Sequence, residues 1–433
     1  MKGAHVSTKI HTSAGFGGIG ANPTDKFHVK GTDLGFLFTG GRGNWVGGMF
    51  GDTFNKPDPH KPSNNDEWRS PVMGRTSNRD FLTRGIQWDN FAGAANTGGT
   101  AKQVYPYKHV GGNGRFNSGN FDAFTVIPND AIQVPDGRYF GMGFRVRDWQ
   151  ADAGQAMAHT ISNAWFWSDE PNADTWQVGR FREDLNRLYE WGSNEGRNRY
   201  FQNATFLMLP NDNHLYVFGS REGRKIGIGA EADGVYLRRC RYDLAFKNED
   251  WEFWGFTGGR WQWGRDVQPT AILRPLTPGG FIGELNAQYV GGKIVLTYSD
   301  TALGAVALTT DRPDGIWSDP TVLVNRVQSP SQYAPSVHPW NTSLTDAYFH
   351  LSSWQSIPNP AHLWDQRQPE MLSVNYCTQG WRGSLVSEGT SAARSETAAT
   401  RGLDLQDVSH EDRVAALQRI VAASAEVNPG LSL

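Results

Sequence analysis

Strand-sized runs of apolar and aromatic residues, cut by Gly, Pro, Asn and Asp, recur along the chain as far as residue 383. Thr32–Thr39 and Trp45–Phe54 form a first pair with Trp68–Thr76 behind them. Phe124–Pro128, Arg138–Arg147 and Ala164–Ser168 form a second group, and Phe201–Leu209, Leu215–Gly219, Val235–Tyr242 and Trp251–Phe256 a third. Gly283–Val290, Lys293–Ser299, Gly304–Thr309 and a turn through Pro313–Ser318 make a fourth; Tyr333–His338, Ala347–Ser353 and Met371–Tyr376 make a fifth. Five groups of short antiparallel strands, about 60 to 80 residues apart, predict an all-β fold, a five-bladed β-propeller, over a sandwich or barrel. The repeat is loose, so long loops are expected on one face. Gly85–Asn120, with Gly98-Gly99 and Gly111–Gly114, reads as such a loop rather than a strand pair.

After Gly383 the pattern stops. Ser384–Asp407 is rich in Ser, Thr, Ala and Glu and almost free of aromatics, the composition of a linker. Ser409 can then cap a short α-helix, with Asp412 at the capping-box position and Val414, Leu417 and Val421 on one face. A helix this short needs a surface to dock on: the propeller, another copy or a partner. The expected organisation is a propeller over 1–383, a linker over 384–408 and a helical assembly segment over 409–433.

Composition sharpens this reading. The 433 residues include 50 Gly and 17 Trp, and aromatics reach 12%, more than a core of this size needs. Packing accounts for most of them, and the surplus can offer faces on which sugar rings stack. A net charge of −3 without basic blocks argues against nucleic acid as a partner. No run reaches the length of a membrane span, and Met1–Lys9 lacks the apolar stretch of a secretory signal, so none is expected. Cys240 and Cys377 read as buried free thiols rather than a disulfide. No Cys/His cluster has zinc spacing, no cofactor is expected, and nothing indicates a structural Ca²⁺.

Two carboxylates interrupt apolar runs. Asp33 lies in Gly31-Thr32-Asp33-Leu34-Gly35 and Asp52 in Phe50-Gly51-Asp52-Thr53-Phe54, positions where a carboxylate is costly without a purpose. Innermost propeller strands line the central funnel, so two such groups can stand across a sugar as the acid and the base or nucleophile of glycoside hydrolysis. The plainer alternative is a pair of turn-capping aspartates.

These motifs carry a resemblance. Asp33-Leu34-Gly35, Gly51-Asp52-Thr53-Phe54 and Trp68-Arg69-Ser70-Pro71-Val72 resemble the endo-D-arabinanase family of actinobacteria and their phages. So do Ile127-Pro128-Asn129-Asp130-Ala131-Ile132, Val217-Phe218-Gly219-Ser220-Arg221-Glu222-Gly223-Arg224 and Tyr236-Leu237-Arg238. Gly280-Phe281-Ile282-Gly283-Glu284-Leu285-Asn286, Gly315-Ile316-Trp317-Ser318 and Tyr333-Ala334-Pro335-Ser336-Val337-His338-Pro339 extend it over nearly all of 25–383. The resemblance implies a five-bladed propeller that cleaves the D-arabinan of mycobacterial-type cell walls with inversion. It places the catalytic pair on Asp33, as base, and Asp52, as acid. The loop after Trp68–Thr76 is longer than the pattern leads one to expect, which puts the shape of the substrate entrance in doubt.

Further residues are candidates for sugar binding. Glu284 is a charge inside a strand-like run, either an acceptor for a substrate hydroxyl or a partner for Arg within the sheet. Asp130 can meet a hydroxyl or serve a turn; Arg221 and Arg224 can face the funnel or decorate a hairpin. His338 can lie on the funnel floor, although a buried structural histidine is the commoner case. Trp68, Trp149, Trp261, Trp263 and Trp354 flank strand ends from which a ring can reach a sugar, and two of the five are expected to do so.

Two classes of function remain: a hydrolase, and a non-catalytic carbohydrate-binding or receptor-binding propeller of a phage tail. The intact Asp33/Asp52 pair favours the hydrolase. An arabinofuranosidase- or fructosidase-like propeller is the enzymatic alternative, though the usual first-blade Asp motif of those enzymes is not what stands at Asp33. The expected partners are cell-wall arabinan or arabinogalactan, other phage tail proteins through the C-terminal segment, and a homo-oligomer. The expected setting is a virion tail acting outside the host, or else secretion.

Overall fold

The computed structural model describes residues 7–18, 22–57, 67–110, 122–148, 159–178, 190–191, 196–220, 234–246, 248–276, 280–358 and 371–387. Arg221, Arg224, Trp149 and the 409–433 segment lie outside the described residues.

Nearly all regular structure among the described residues is β. There are five antiparallel sheets of four or five strands and one two-stranded parallel sheet, Lys108–His109 with Asp122–Ala123. The first sheet runs Leu34–Gly40, Trp45–Phe50, Val72–Thr76, Asn90–Phe91. The second runs Thr125–Gln133, Tyr139–Asp148, His159–Ser168, Gln177–Val178, with Glu190–Trp191 also on its third strand. The third is Asn203–Met208, His214–Ser220, Tyr236–Arg241, Glu252–Thr257, Arg260–Gly264, and the fourth Ile282–Val290, Lys293–Asp300, Gly304–Thr310, Thr321–Val324. The fifth joins Gln332–Val337, Ala347–Pro358 and Met371–Gly383 to the N-terminal strand Thr8–Phe16. That last pairing ties the two ends of the folded chain into one sheet.

The first strand of each sheet packs against the first strand of the next, and the fifth returns to the first. The core is divided accordingly, with one hydrophobic cluster between each consecutive pair of sheets. Phe38 and Met49 meet Phe144 and Phe166; Phe140 and Trp165 meet Phe206 and Trp251; Phe218 and Leu237 meet Leu296 and Val306. Val295 and Leu323 meet Phe349 and Trp381, and Ala14 and Tyr348 meet Leu37 and Phe50. Because side chains alternate along a strand, neighbours serve different clusters: Phe206 faces the second sheet and Leu207 the fourth. Both faces are therefore buried, which explains why the strands read as nearly continuous apolar runs. Gly258-Gly259 and Gly291-Gly292, all at positive φ, close two-residue hairpins, where the turn's handedness must match the twist of the strands.

Two expectations needed revision. Thr8–Phe16 was not anticipated as a strand. The stretch expected as a loop from Gly85 is, as far as residue 110, largely packed: Trp88, Phe91 and Tyr105 are buried, and Asn90–Phe91 is the outer strand of the first sheet. Its glycines mark turns between short anchored pieces. Strand pairing continues to Gly383, and Leu385 beyond it is still buried, its amide donating to Leu344 O. Cys240 and Cys377 are free and buried.

Candidate active site

The innermost strands enter the ring from the same side. Thr125 begins one and meets Asp52; Tyr333, near the start of another, meets Asp33; Asn203 Nδ2 donates to Gly283 O beside the starts of two more. Their N-terminal ends thus surround one mouth.

Asp33 and Asp52 sit at this mouth just outside the strands rather than within them. Asp33 precedes Leu34–Gly40, Asp52 follows Trp45–Phe50, and Gly51 N donates to Asp33 O at 3.1 Å. The local backbone accounts for this. Leu34 (φ 62) and Gly35 (φ 85) are left-handed, and the pairing with Phe50 and Met49 slips by a bulge between Leu34 and Phe36. Bulges also occur at Pro128/Asp130, Ile282/Leu285 and Tyr333/Ser336, so four of the five inner strands depart from regular pairing towards the mouth. Such kinks re-aim side chains and are common beside active sites.

Asp33 is only 8% exposed, and its Oδ2 accepts a 2.8 Å hydrogen bond from Tyr333 OH. Tyr376 also hydrogen-bonds its side chain; burial, followed by the charge of Asp33, pushes the Tyr376 phenol far up. A Cβ on Gly51 would stand 2.3 Å from Asp33 Oδ1, so only glycine leaves the carboxylate its place. Asp52 is half-buried and its Oδ1 accepts from Trp68 Nε1 (3.0 Å) and Thr125 Oγ1 (2.6 Å). Burial lowers the pKa of nearby His109, opposed by its 3.0 Å contact with Phe124 O and by the Asp52 charge.

Aromatic rings form an arc through both carboxylates. Trp354, 41% exposed, packs edge-on against Tyr376 (5.9 Å); Tyr376 lies 6.3 Å from Phe54; Phe54 stacks on Trp68 (6.0 Å), which meets His109 (4.7 Å). Aromatic faces beside paired carboxylates can hold a sugar while protons are moved.

The other sequence candidates lie elsewhere or do other work. Asp130 is 1% exposed, and both its oxygens face protein donors: Oδ2 takes Thr205 Oγ1 (2.5 Å) and Phe206 N (3.0 Å), and Oδ1 takes Ala131 N (2.8 Å). It belongs to a girdle about the waist of the ring. Leu37 N donates to Ser336 Oγ, Val337 N to Asn286 Oδ1, Ala287 N to Thr205 Oγ1 and Phe206 N to Asp130 Oδ2. At the fifth junction the corresponding position is apolar Phe36, and Ala131 N turns to Asp130's own Oδ1. Burial pushes the Asp130 carboxyl up to about 7 despite these donors. His338 is fully buried, stacked on Phe81 at 3.8 Å, with Nδ1 accepting from Trp340 N; it is not brought to the mouth. Glu284 is 4% exposed in the bulge of its strand; burial lowers the pKa of Arg326, opposed by the charges of Asp300 and Glu284. Trp261 and Trp263 stand on an edge hairpin with Trp254.

Sequence reasoning missed Tyr333, Tyr376 and Thr125 as partners of the aspartates. Tyr333 stands in a quoted motif, but nothing local marks a phenol whose acceptor is 300 residues away.

A cavity of about 670 Å³ opens at the opposite end of the ring, lined by Phe38, Ile132, Met208, Tyr289 and Pro339 from the five inner strands and their exits. It is separate from the Asp33/Asp52 mouth.

The chain belongs to the family described as a domain of unknown function (DUF4185), whose model matches residues 20–364. Notoamide biosynthesis cluster protein J' of Aspergillus versicolor is 27% identical over 343 residues, covering 78% of this chain and 84% of the relative. Protein J of Aspergillus sp. (strain MF297-2) is 26% identical over 344 residues, covering 77% and 82%. Similar solved structures include a GH43 β-xylosidase/α-arabinofuranosidase from a compost microbial metagenome (13% identity, TM-score 0.44, covering 87% of this chain and 95% of that one). An N-acetylgalactosamine deacetylase from F. plautii is also similar (12% identity, TM-score 0.46, covering 88% and 96%).

Proposed function

We propose that this protein is a five-bladed propeller glycoside hydrolase that cuts D-arabinan of mycobacterial-type cell walls from within the chain. The observation that carries the reading is the mouth itself: two separately held carboxylates, Asp33 and Asp52, along one aromatic arc. The five sheets in a closed ring support the blade count. The choice of D-arabinan and of inversion rests on the motif resemblance around Asp33, Asp52 and Trp68. In the proposed reaction Asp33 accepts a proton from water as its oxygen bonds to the anomeric carbon. The glycosidic C–O bond breaks, and Asp52 delivers its proton to the leaving oxygen. Trp68 and Thr125 orient Asp52 for that delivery. A place in a phage tail, with the C-terminal segment as its attachment, belongs to the same proposal and rests on the resemblance and the composition break after Gly383.

Incubation with mycobacterial arabinogalactan should release arabino-oligosaccharides of mixed length. Asp33→Asn and Asp52→Asn should each reduce release by about 10³-fold or more with an unchanged circular dichroism spectrum. Wild-type release by either variant would overturn the assignment. Binding to arabinan without release by the parent protein would favour the carbohydrate-binding reading.

A further inference from the structure

Two phenols, a partly buried one on Tyr333 and a buried one on Tyr376, converge on one of the two carboxylates. Tyr333 reaches Asp33 from an inner strand of the fifth sheet and Tyr376 from the third strand of that sheet. We infer that Tyr333 and Tyr376 are positioning residues that hold Asp33 as an aimed carboxylate and so make it the proton acceptor of the pair. This deepens the glycosidase reading above and rests on it.

An ionised carboxylate only accepts hydrogen bonds, so it can take both phenol protons at once. A protonated carboxyl must offer one oxygen as a donor and would compete with them. The arrangement therefore favours the charged form. Packing alone does not call for the hydroxyls. The Tyr376 ring sits between Phe54 and Trp354, and the Tyr333 ring packs on the cluster between the first and second sheets, where phenylalanine would fill the same space. Both ends of the Tyr333 contact are held by unusual backbone. Leu34 follows Asp33 at φ 62, Ala334 follows Tyr333 at φ 52, and a bulge accompanies each. Backbone sterics disfavour the left-handed region for non-glycine residues, so the geometry is maintained against a local preference.

Further groups lie near Asp33 or act on its phenols. Asp52, whose charge also acts on Tyr376, is met at Oδ1 by an indole and a threonine hydroxyl. His350, which contacts Gly35 O two residues beyond Asp33, is kept neutral by burial that lowers its pKa to about 3. Thr32 and Thr53 pair through their hydroxyls and bring no charge.

The test compares the full-length parent with Tyr333→Phe, Tyr376→Phe and the double variant. The pH dependence of kcat/KM on arabinan oligosaccharides is read alongside direct titration of Asp33 in ¹³C-carboxyl-aspartate protein, its resonance assigned by loss in Asp33→Asn. Each single variant should move the acidic limb, and the Asp33 titration, upward by about one pH unit, with kcat down roughly tenfold and KM little changed. The double variant should move both further. An unmoved limb and an unmoved Asp33 resonance in folded variants would overturn the inference. If a phenylalanine variant fails to fold, site-specific 3-fluorotyrosine, a stronger donor of the same size, should shift the titration downward; no shift there overturns it equally. The resonance needs no substrate. A protein that cleaves no arabinan, yet whose Asp33 titration responds to the tyrosines, would remove the glycosidase reading and the catalytic role while leaving the carboxylate clamp established.

Discussion

Asp33 and Asp130 are both almost fully buried carboxylates associated with the innermost ring of strands, and their surroundings differ. Asp130 at the waist meets a backbone amide and a hydroxyl from the neighbouring sheet and the amide of its own successor, so its oxygens are spent on joining sheets. Asp33 at the mouth meets two phenols from side chains; a bulge accompanies both carboxylates, but only Asp33 is followed by left-handed backbone. A girdle of hydrogen bonds from one sheet to the next makes the waist a structural joint at four of the five junctions. At the mouth, left-handed backbone at Leu34 and Gly35 accompanies a carboxylate held by side chains. Burial of a charge is thus no guide by itself to function; what satisfies the charge is the better one.

Two equivalent substitutions separate the two carboxylates most directly. Asp33→Asn should remove nearly all arabinan cleavage and leave stability little changed. Asp130→Asn should cost about 2–3 kcal/mol in denaturant unfolding while the protein that remains folded keeps its turnover. An inactive but fully stable Asp130→Asn protein would move Asp130 from joint to site. Next in expected size is Gly51→Ala. Its methyl must displace the Asp33 carboxylate or the Leu34 side chain, 2.9 Å away, and a misplacement of that order should lower kcat about 10²-fold. Full activity in that variant would show that Asp33 tolerates displacement.

The smallest effect is on the pH dependence of stability. Burial lowers His11 to about 4 and His350 to about 3, so the folded protein binds fewer protons there than the unfolded chain. Stability should fall as pH drops below the ordinary histidine value of 6.5 towards 4. Asp130, raised to about 7 from 3.8, acts oppositely: its folded form binds the extra proton, and stability should fall as pH rises through that interval. The two windows overlap between about pH 4 and 6.5 and oppose each other there, so in thermal melts Asp130→Asn should lose stability more steeply towards acid than the parent does. Identical profiles for the two proteins would show that Asp130 is ionised throughout.

Much of the fold was legible because every inner and middle strand is buried on two faces. Runs such as Lys293–Ser299 and Leu215–Gly219 announce themselves by hydrophobicity alone, and they are strands here. Edge pieces were not legible for the converse reason. Thr8–Phe16 carries Thr, Lys, His and Ser and is defined by its pairing with residues 376–382, which no local pattern records. Trp88, Phe91 and Tyr105 were hidden among glycines that suggested a loop, because glycine marks a turn without saying whether the pieces between turns are packed.

By itself the sequence determined an all-β chain of about five strand groups and two carboxylates in costly positions, since composition, periodicity and the expense of a charge in an apolar run are local properties. Only the tertiary structure decided which aspartate is held by phenols and which by backbone. It also decided that His338 is stacked in the core while Tyr333, Tyr376 and Thr125 attend the pair. Those outcomes depend on contacts between residues as far apart in the chain as Asp33 and Tyr376, made by closing a ring of sheets, and a hydrogen bond's partner is fixed by that closure rather than by its neighbours in the chain.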